Sequence, residues 1–114
     1  LNVSGPFHSC LLSEAGEKLG QFLEHVKVSD PVIPYVANVT AGYVTSKDEV
    51  KPLLVRQVSS SVRWQQSVEA MIAGGVDRFV EIGPGKTLTG FVKKISRDVA
   101  IVNIEKLDDL EKLK

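Results

Sequence analysis

The stretch Arg78-Phe-Val-Glu-Ile-Gly-Pro-Gly85 decides the fold class. Residues 78–82 have the composition of a strand, and the two glycines and the proline that follow predict a tight turn. Apolar residues then recur at helical spacing, at Leu88, Phe91, Val92 and Ile95. A second apolar run, 99–104, predicts another strand. Strands separated by helices indicate an α/β fold, with a parallel sheet that helices flank.

Upstream of this stretch the pattern predicts three more helices and one more strand. The first helix begins near Leu12, and residues 32–39 then indicate a short buried strand. A second helix follows Ser46, which has capping-box spacing to Glu49, and Pro52 predicts a kink or a later helix start. A third helix begins near Trp64 and ends at the glycine pair 74–75.

The pattern also predicts a last short helix over 107–113. Three strands make a sheet too narrow to cover all the predicted helices. Some apolar helix faces would then have nothing to pack against. We expect the other strands to come from an N-terminal stretch or a partner chain. The first residues, Leu1-Asn2-Val3, lack an initiating methionine, which indicates a chain cut inside a domain or processed.

Composition restricts the function classes. The chain has 114 residues, 43% hydrophobic and 25% charged, the balance of one globular domain. Zero formal net charge indicates no overall attraction to nucleic acid or an anionic membrane. The single cysteine, Cys10, excludes an internal disulfide framework and a multi-cysteine metal site. With no long apolar run and no leader pattern, we expect a cytoplasmic protein.

His8 is the first candidate for chemistry. Gly5-Pro6 predicts a turn, and His8 follows it immediately before the first helix. A histidine that a scaffold holds on a loop suits a general base. The alternative is a surface or helix-capping histidine, and the residues alone leave both readings open.

Gln57 is the second candidate, because it lies in the middle of the apolar stripe of the second helix. A polar group directed at a core needs partners, since an unpaired one costs about 1–3 kcal/mol. Either this turn of the helix faces a polar site, or the glutamine satisfies loose backbone groups.

The run Gly85-Lys86-Thr87 lies where a phosphate-binding loop would lie, between a strand and a helix. That loop requires a glycine five positions before Gly85, where this chain has Val80, and Pro84 removes one amide. A phosphate loop is therefore excluded. The turn is either purely structural or part of a pocket wall at the carboxyl end of a strand. Three basic residues that follow the same helix face form either a solvated side or a docking patch: Lys86, Lys93 and Arg97.

Together, three motifs resemble the C-terminal part of bacterial malonyl-CoA:acyl carrier protein transacylases. They are Val3-Ser-Gly-Pro-Phe-His-Ser9, Val55-Arg-Gln57, and Val80-Glu-Ile-Gly-Pro-Gly-Lys86 with Leu88-Thr-Gly90. The resemblance implies an α/β-hydrolase-like large subdomain that a ferredoxin-like small subdomain interrupts. Residues 1–114 would form the C-terminal segment of the large subdomain, beginning at the return from the absent small one.

The resemblance also implies an activity. In the family, a serine on a Gly-x-Ser-x-Gly turn takes malonyl from malonyl-CoA, and the phosphopantetheine thiol of acyl carrier protein then accepts it. His8 matches the catalytic histidine, Gln57 matches a glutamine whose main-chain carbonyl holds the other imidazole nitrogen, and Phe7 matches a position that shapes the acyl pocket. The implied partners are malonyl-CoA, acyl carrier protein and the missing N-terminal part of the enzyme. No cofactor and no metal is implied.

Some family features are absent from this sequence. It contains no Gly-x-Ser-x-Gly, no N-terminal glutamine for the oxyanion hole, and no arginine that matches the ligand of the malonyl carboxylate. The segment alone is therefore predicted to be inactive. The alternative is a non-catalytic module, derived from an acyltransferase, that binds acyl carrier protein. The presence of Phe7-His8 and Gln57 favours the enzyme, because a docking module needs no base.

Overall fold

The computed structural model describes residues 5–114. Val3 and Ser4, the first two residues of the motif that contains His8, lie outside the described residues. The chain divides into two compact units, Leu1–Ser67 and Val68–Lys114. Each unit is described by itself.

The described part of the first unit, from residue 5, contains two complete α-helices and a small hairpin. A short 3-10 helix (Cys10–Leu12) leads into helix α1 (Ser13–Glu24), and helix α2 spans Lys47–Ser59. Strands β1 (Tyr35–Ala37) and β2 (Gly42–Val44) lie between them and pair in antiparallel fashion. The helix expected near Leu12 is confirmed.

The buried strand expected over residues 32–39 is wrong in extent and in environment. Val32 and Ile33 are 98% and 81% exposed, and the strand begins only at Tyr35. It pairs with β2, a strand that the apolar pattern of the sequence does not predict. Ala41 closes the connection in the left-handed region (φ 57°), and its amide donates to Ala37 O at 2.8 Å.

Helix α2 begins at its cap and continues through its proline. The Ser46 hydroxyl accepts from the Asp48 amide at 3.2 Å, and Asp30 Oδ1 accepts from the Lys47 amide at 2.8 Å. Two amides that lack partners inside the helix are therefore satisfied. Pro52 predicted a kink or a later helix start, and the later start is wrong, since α2 already begins at Lys47.

Helices α1 and α2 approach closely at two glycines of α1. A Cβ on the buried Gly16 would lie 3.1 Å from the Val55 carbonyl oxygen, which belongs to the backbone of α2. A Cβ on Gly20 would lie 3.4 Å from Val55 Cγ2. Gly16 thus meets rigid backbone, whereas Gly20 meets a side chain that can move.

The second unit confirms the expected strand–helix–strand order. Strand β3 (Arg78–Ile82) and strand β4 (Ala100–Ile104) run parallel, and helix α4 (Thr87–Ile95) lies between them in sequence. A 3-10 helix over Leu107–Leu113 ends the chain. Among residues 5–114 the parallel sheet has two strands rather than the expected three, because β1 pairs with β2 instead.

Helix α3 (Trp64–Ala73) contains the division between the two units and ends as expected at the glycine pair. Gly75 has φ +93°, its amide donates to Ile72 O at 2.9 Å, and the Val76 amide donates to Met71 O at 3.0 Å. This is the Schellman arrangement, which requires a residue with positive φ. No helix in the described part of the chain is both long and apolar enough to span a bilayer.

The glycine contacts lead to a stability prediction. Gly16→Ala should destabilise the protein, because overpacking against fixed backbone costs about 1–3 kcal/mol and outweighs the gain of about 0.5–1 kcal/mol in helix propensity. Gly20→Ala is the matched control, which should be neutral or stabilising because the Val55 side chain can rotate. Urea unfolding followed by circular dichroism measures both. Equal stability of the two variants would contradict the close approach at Gly16.

Candidate functional site

The loop before α1 holds His8 in an unusual backbone conformation. His8 has φ 55°, in the left-handed region, where a residue other than glycine is held at a cost of about 1–3 kcal/mol. Ser9 returns to extended backbone (φ −128°, ψ 162°), and its carbonyl accepts from the Leu12 amide at 3.0 Å. The loop therefore leads directly into the first helical turn, with an exposed His8.

The structure brings His8 and Gln57 together. His8 Nδ1 lies 3.0 Å from the main-chain oxygen of Gln57, 49 residues away. Because a carbonyl oxygen can only accept, Nδ1 is the nitrogen that carries the proton. The neutral ring then has its lone pair on Nε2, the nitrogen that can accept a proton.

Gln57 can serve His8 because its carbonyl lies in the last turn of α2, where carbonyls have no partner inside the helix. The capping amide of Ser60 lies 3.4 Å from the same oxygen, a long contact. The Gln57 side chain acts elsewhere, since its Nε2 donates to Ser60 O at 3.1 Å. This polar side chain in the apolar stripe therefore satisfies a backbone group, one of the two alternatives left open by the sequence.

Phe7 precedes His8 and is 64% exposed. A Cβ on Gly5 would lie 3.3 Å from Cε2 of the Phe7 ring, so the glycine leaves room for the ring. Gln57 borders a groove of about 190 Å³ in the first unit. The other residues that line it come from the hairpin and from α2: Tyr35, Val36, Ala37, Asn38, Leu53 and Leu54.

In the second unit, a carboxylate accepts hydrogen bonds from the main-chain amides at the start of α4. Glu81, on β3, accepts from the Leu88 amide at 3.0 Å, the Thr89 amide at 2.9 Å and the Thr89 hydroxyl at 2.6 Å. The Thr89 hydroxyl, followed by the main-chain amides, lowers the pKa of Glu81 below its ordinary value. A phosphate would need these same amides, so an internal anion already fills the helix terminus.

The Glu81 contacts were missed at the sequence level. The available signal was an acidic residue at the end of a strand, just before a glycine-rich turn and a helix with no capping side chain of its own. The turn itself is held from β4, where Asn103 Nδ2 donates to Gly85 O at 2.7 Å.

The three basic residues expected on one face of the fourth helix do not all lie in that helix. Helix α4 ends at Ile95, so Lys93 lies in the helix, Lys86 precedes it and Arg97 follows it. Lys93, Lys94 and Arg97 border a groove of about 610 Å³. Lys86, Lys93 and Lys112 border a second one of about 240 Å³. We call Lys86, Lys93, Lys94 and Arg97 the basic surface.

Across residues 5–114, no group of three or more histidine, cysteine or acidic side chains is placed to hold a metal ion.

Comparisons with known proteins agree on one family. No protein-family model matches the chain. Malonyl CoA-acyl carrier protein transacylases from Bacillus subtilis and Staphylococcus aureus are 41% and 42% identical to it over 111 residues. A crystal structure of the same transacylase from Clostridium perfringens has a TM-score of 0.92 at 42% identity over 99% of this chain. An acyl carrier protein S-malonyltransferase from Vibrio cholerae has a TM-score of 0.94 at 37% identity over 100% of it.

The chain matches the C-terminal part of malonyl-CoA:acyl carrier protein transacylases.

Within this transacylase family, the chain is a partial match. It is covered to 97% by the B. subtilis relative but spans 35% of that protein's length, and it corresponds to the C-terminal part of the full-length proteins. The predicted fold class, the C-terminal part of an α/β acyltransferase, is confirmed. One further neighbour is a malonyl-transacylase solved in complex with a type II polyketide acyl carrier protein, with a TM-score of 0.92 and 35% identity.

The contacts of Glu81 predict a pH-dependent contribution to stability. Because its pKa is lowered on folding, the ionised carboxylate stabilises the protein above the unfolded pKa, and this contribution is lost as the pH falls through the folded pKa. Glu81→Gln should therefore unfold more easily than the wild type at neutral pH, and the difference should shrink in acid. Thermal unfolding from pH 7 to pH 3 measures this, with Glu105→Gln as a control for loss of one exposed carboxylate. A constant difference across that range would contradict the role of the charge.

Proposed function

We propose that the enzyme containing this segment transfers malonyl from malonyl-CoA to the phosphopantetheine thiol of acyl carrier protein, with His8 as the acid–base residue. The observation that carries the proposal is the 3.0 Å hydrogen bond between His8 Nδ1 and Gln57 O. We further propose that residues 1–114 form the C-terminal segment of the large subdomain. The nucleophilic serine would come from the rest of the enzyme.

The proposed chemistry has two halves that use His8 Nε2 in the same way. In the first, Nε2 takes the proton of the serine hydroxyl while the serine oxygen attacks the thioester carbonyl of malonyl-CoA. The carbon–sulfur bond breaks, and the imidazolium returns the proton to the leaving sulfur of CoA. In the second, the phosphopantetheine thiol gives its proton to Nε2 and attacks the serine ester, and the serine oxygen leaves with that proton.

Gln57 contributes through its main chain. Its carbonyl accepts from Nδ1, which fixes the ring orientation and the tautomer and keeps Nε2 free for proton transfer. A carboxylate has this position in the commoner triad. A helix-terminal carbonyl provides the same orientation without a formal charge, and it cannot be removed by a side-chain substitution.

Phe7 and the basic surface have proposed roles in binding. The ring of Phe7, 64% exposed beside His8, is available to border the acyl group. Acyl carrier proteins are generally acidic, and the basic surface in the second unit would attract such a partner. Three of its four residues border a single groove, which suits a continuous docking face.

A non-catalytic module that binds acyl carrier protein is the alternative function. It would need the basic surface, but it would need neither an imidazole with an assigned tautomer nor a free Nε2. The hydrogen bond to Gln57 therefore favours the enzyme. Without its serine, the segment alone would not form a malonyl ester.

His8→Ala in the full-length acyltransferase should lower the rate of malonyl transfer by about 10²–10⁴-fold, the usual effect of losing a general base. His25→Ala, at the exposed end of α1, is the matched control and should leave the rate unchanged. Gln57→Ala should cost much less than His8→Ala, because the carbonyl is retained. Malonyl transfer at equal folded concentration measures all three. A His8→Ala rate within about threefold of wild type, well below that range, would rule out the assignment.

Replacing Lys86, Lys93 and Arg97 with glutamate should weaken malonyl transfer to acyl carrier protein and reduce its dependence on salt. Hydrolysis of malonyl-CoA, which needs no carrier, should be spared. The control makes a charge change of similar size in the first unit, with glutamate at Lys27, Lys47 and Lys51. Equal loss of transfer in the two triple variants would show that net charge, rather than the basic surface, matters.

A further inference from the structure

We propose that Ser9 is a positioning residue for His8, an inference that rests on the proposed acid–base function. The Ser9 hydroxyl donates to the carbonyl of Pro6 at 2.7 Å. This bond passes over Phe7 and His8 and closes a four-residue loop. The loop contains His8, whose backbone is in the left-handed region.

His8 has a backbone conformation that its neighbours must hold. An L-residue other than glycine prefers negative φ, so at φ 55° His8 will relax unless its neighbours hold it. A rotation about the N–Cα bond of His8, which changes φ, would move the imidazole away from the Gln57 carbonyl. The Ser9–Pro6 hydrogen bond fixes the distance between the two ends of the loop and therefore opposes that rotation.

The two partners of the His8–Gln57 bond are held unequally. Gln57 lies in the last turn of a thirteen-residue helix. Its side-chain Nε2 donates a hydrogen bond to Ser60 O at 3.1 Å, which closes that turn. His8 lies on an exposed loop, and Ser9 provides the side-chain bond that spans it. Alignment of the pair therefore depends mainly on the loop.

The chain contains a matched control for this bond. Ser13 Oγ donates to Cys10 O, also at 2.7 Å and also across three positions. That segment enters α1, and none of its residues has a positive φ. Loss of the Ser13 bond removes the same type of interaction without releasing His8.

The first experiment compares Ser9→Ala, Ser9→Thr and Ser13→Ala in the full-length acyltransferase. Ser9→Ala should lower kcat by about tenfold with KM for malonyl-CoA nearly unchanged, because small misplacements of a reacting group cost up to 10²-fold. Ser9→Thr should restore most of kcat, since it keeps the hydroxyl and suits the extended backbone at this position. Ser13→Ala should match the wild type. If Ser9→Ala also matches the wild type, the positioning role is wrong.

A second variant covers the case in which Ser9→Ala does not fold. Ser9→Val has the shape of Ser9→Thr but lacks the hydroxyl, so the pair isolates the hydrogen bond. Ser9→Thr should be at least several-fold faster than Ser9→Val. Equal rates for the pair would overturn the proposal.

The tautomer of His8 gives a readout independent of activity. Nitrogen chemical shifts of ¹⁵N-histidine-labelled protein at a pH where the ring is neutral should show the Nδ1–H tautomer in the wild type and in Ser13→Ala. Ser9→Ala should shift His8 toward a mixture of tautomers. An unchanged tautomer in Ser9→Ala would contradict the proposal.

The two proposals fail differently. An inactive His8→Ala with a fully active Ser9→Ala refutes the role of Ser9 and leaves the acid–base role of His8 intact. A fully active His8→Ala refutes the proposed function, and the tautomer comparison still decides whether Ser9 holds the ring.

Discussion

The hydrogen bond between His8 Nδ1 and the Gln57 carbonyl is the interaction on which the candidate site depends. It is possible because a helix leaves its last carbonyls without internal partners. Gln57 supplies one of these from the end of α2, and the loop before α1 supplies the imidazole. The short helix that follows this loop packs against α2, and Gly16 lets α1 approach the α2 backbone near Val55. The helix pair thus determines where the loop ends.

The two units use helix termini in opposite ways. In the first, a carbonyl at the end of α2 binds a side chain that can carry out proton transfer. In the second, the amides at the start of α4 are taken by Glu81, from the neighbouring strand. A helix N-terminus after a glycine-rich turn ordinarily attracts a phosphate. Here the internal carboxylate joins β3 to α4 and leaves that terminus with a structural role.

Apolar surface in the second unit fits a chain that covers 35% of its relative's length. Ile82, in the parallel strand β3, is 82% exposed, and Val80 in the same strand is 41% exposed. Parallel strands are normally covered on both faces, and in full-length members of the family more chain is available to cover them.

The sequence by itself determined the features that local patterns encode. The order β3, turn, α4, β4 followed from two short apolar runs, from the helical spacing of apolar residues between them, and from the glycines and proline of the turn. The start of α2 followed from Ser46. His8 and Gln57 stood out because each is a polar residue in a setting that needs explanation. Resemblance to the family supplied the pairing of His8 with the Gln57 main chain, which the residues alone could not.

Tertiary structure decided what depends on contacts between distant residues. Strands β1 and β2 have three residues each, too few to show an alternating apolar pattern, so the sequence does not predict their pairing. The Gln57 side chain caps its own helix while its carbonyl binds His8, and a helical pattern cannot tell which group serves which partner. The positive φ of His8 and the hydrogen bonds from the first amides of α4 to the Glu81 carboxylate likewise depend on contacts between separate elements. Periodicity reports which face of an element is apolar, whereas the partner of each polar atom is set by packing.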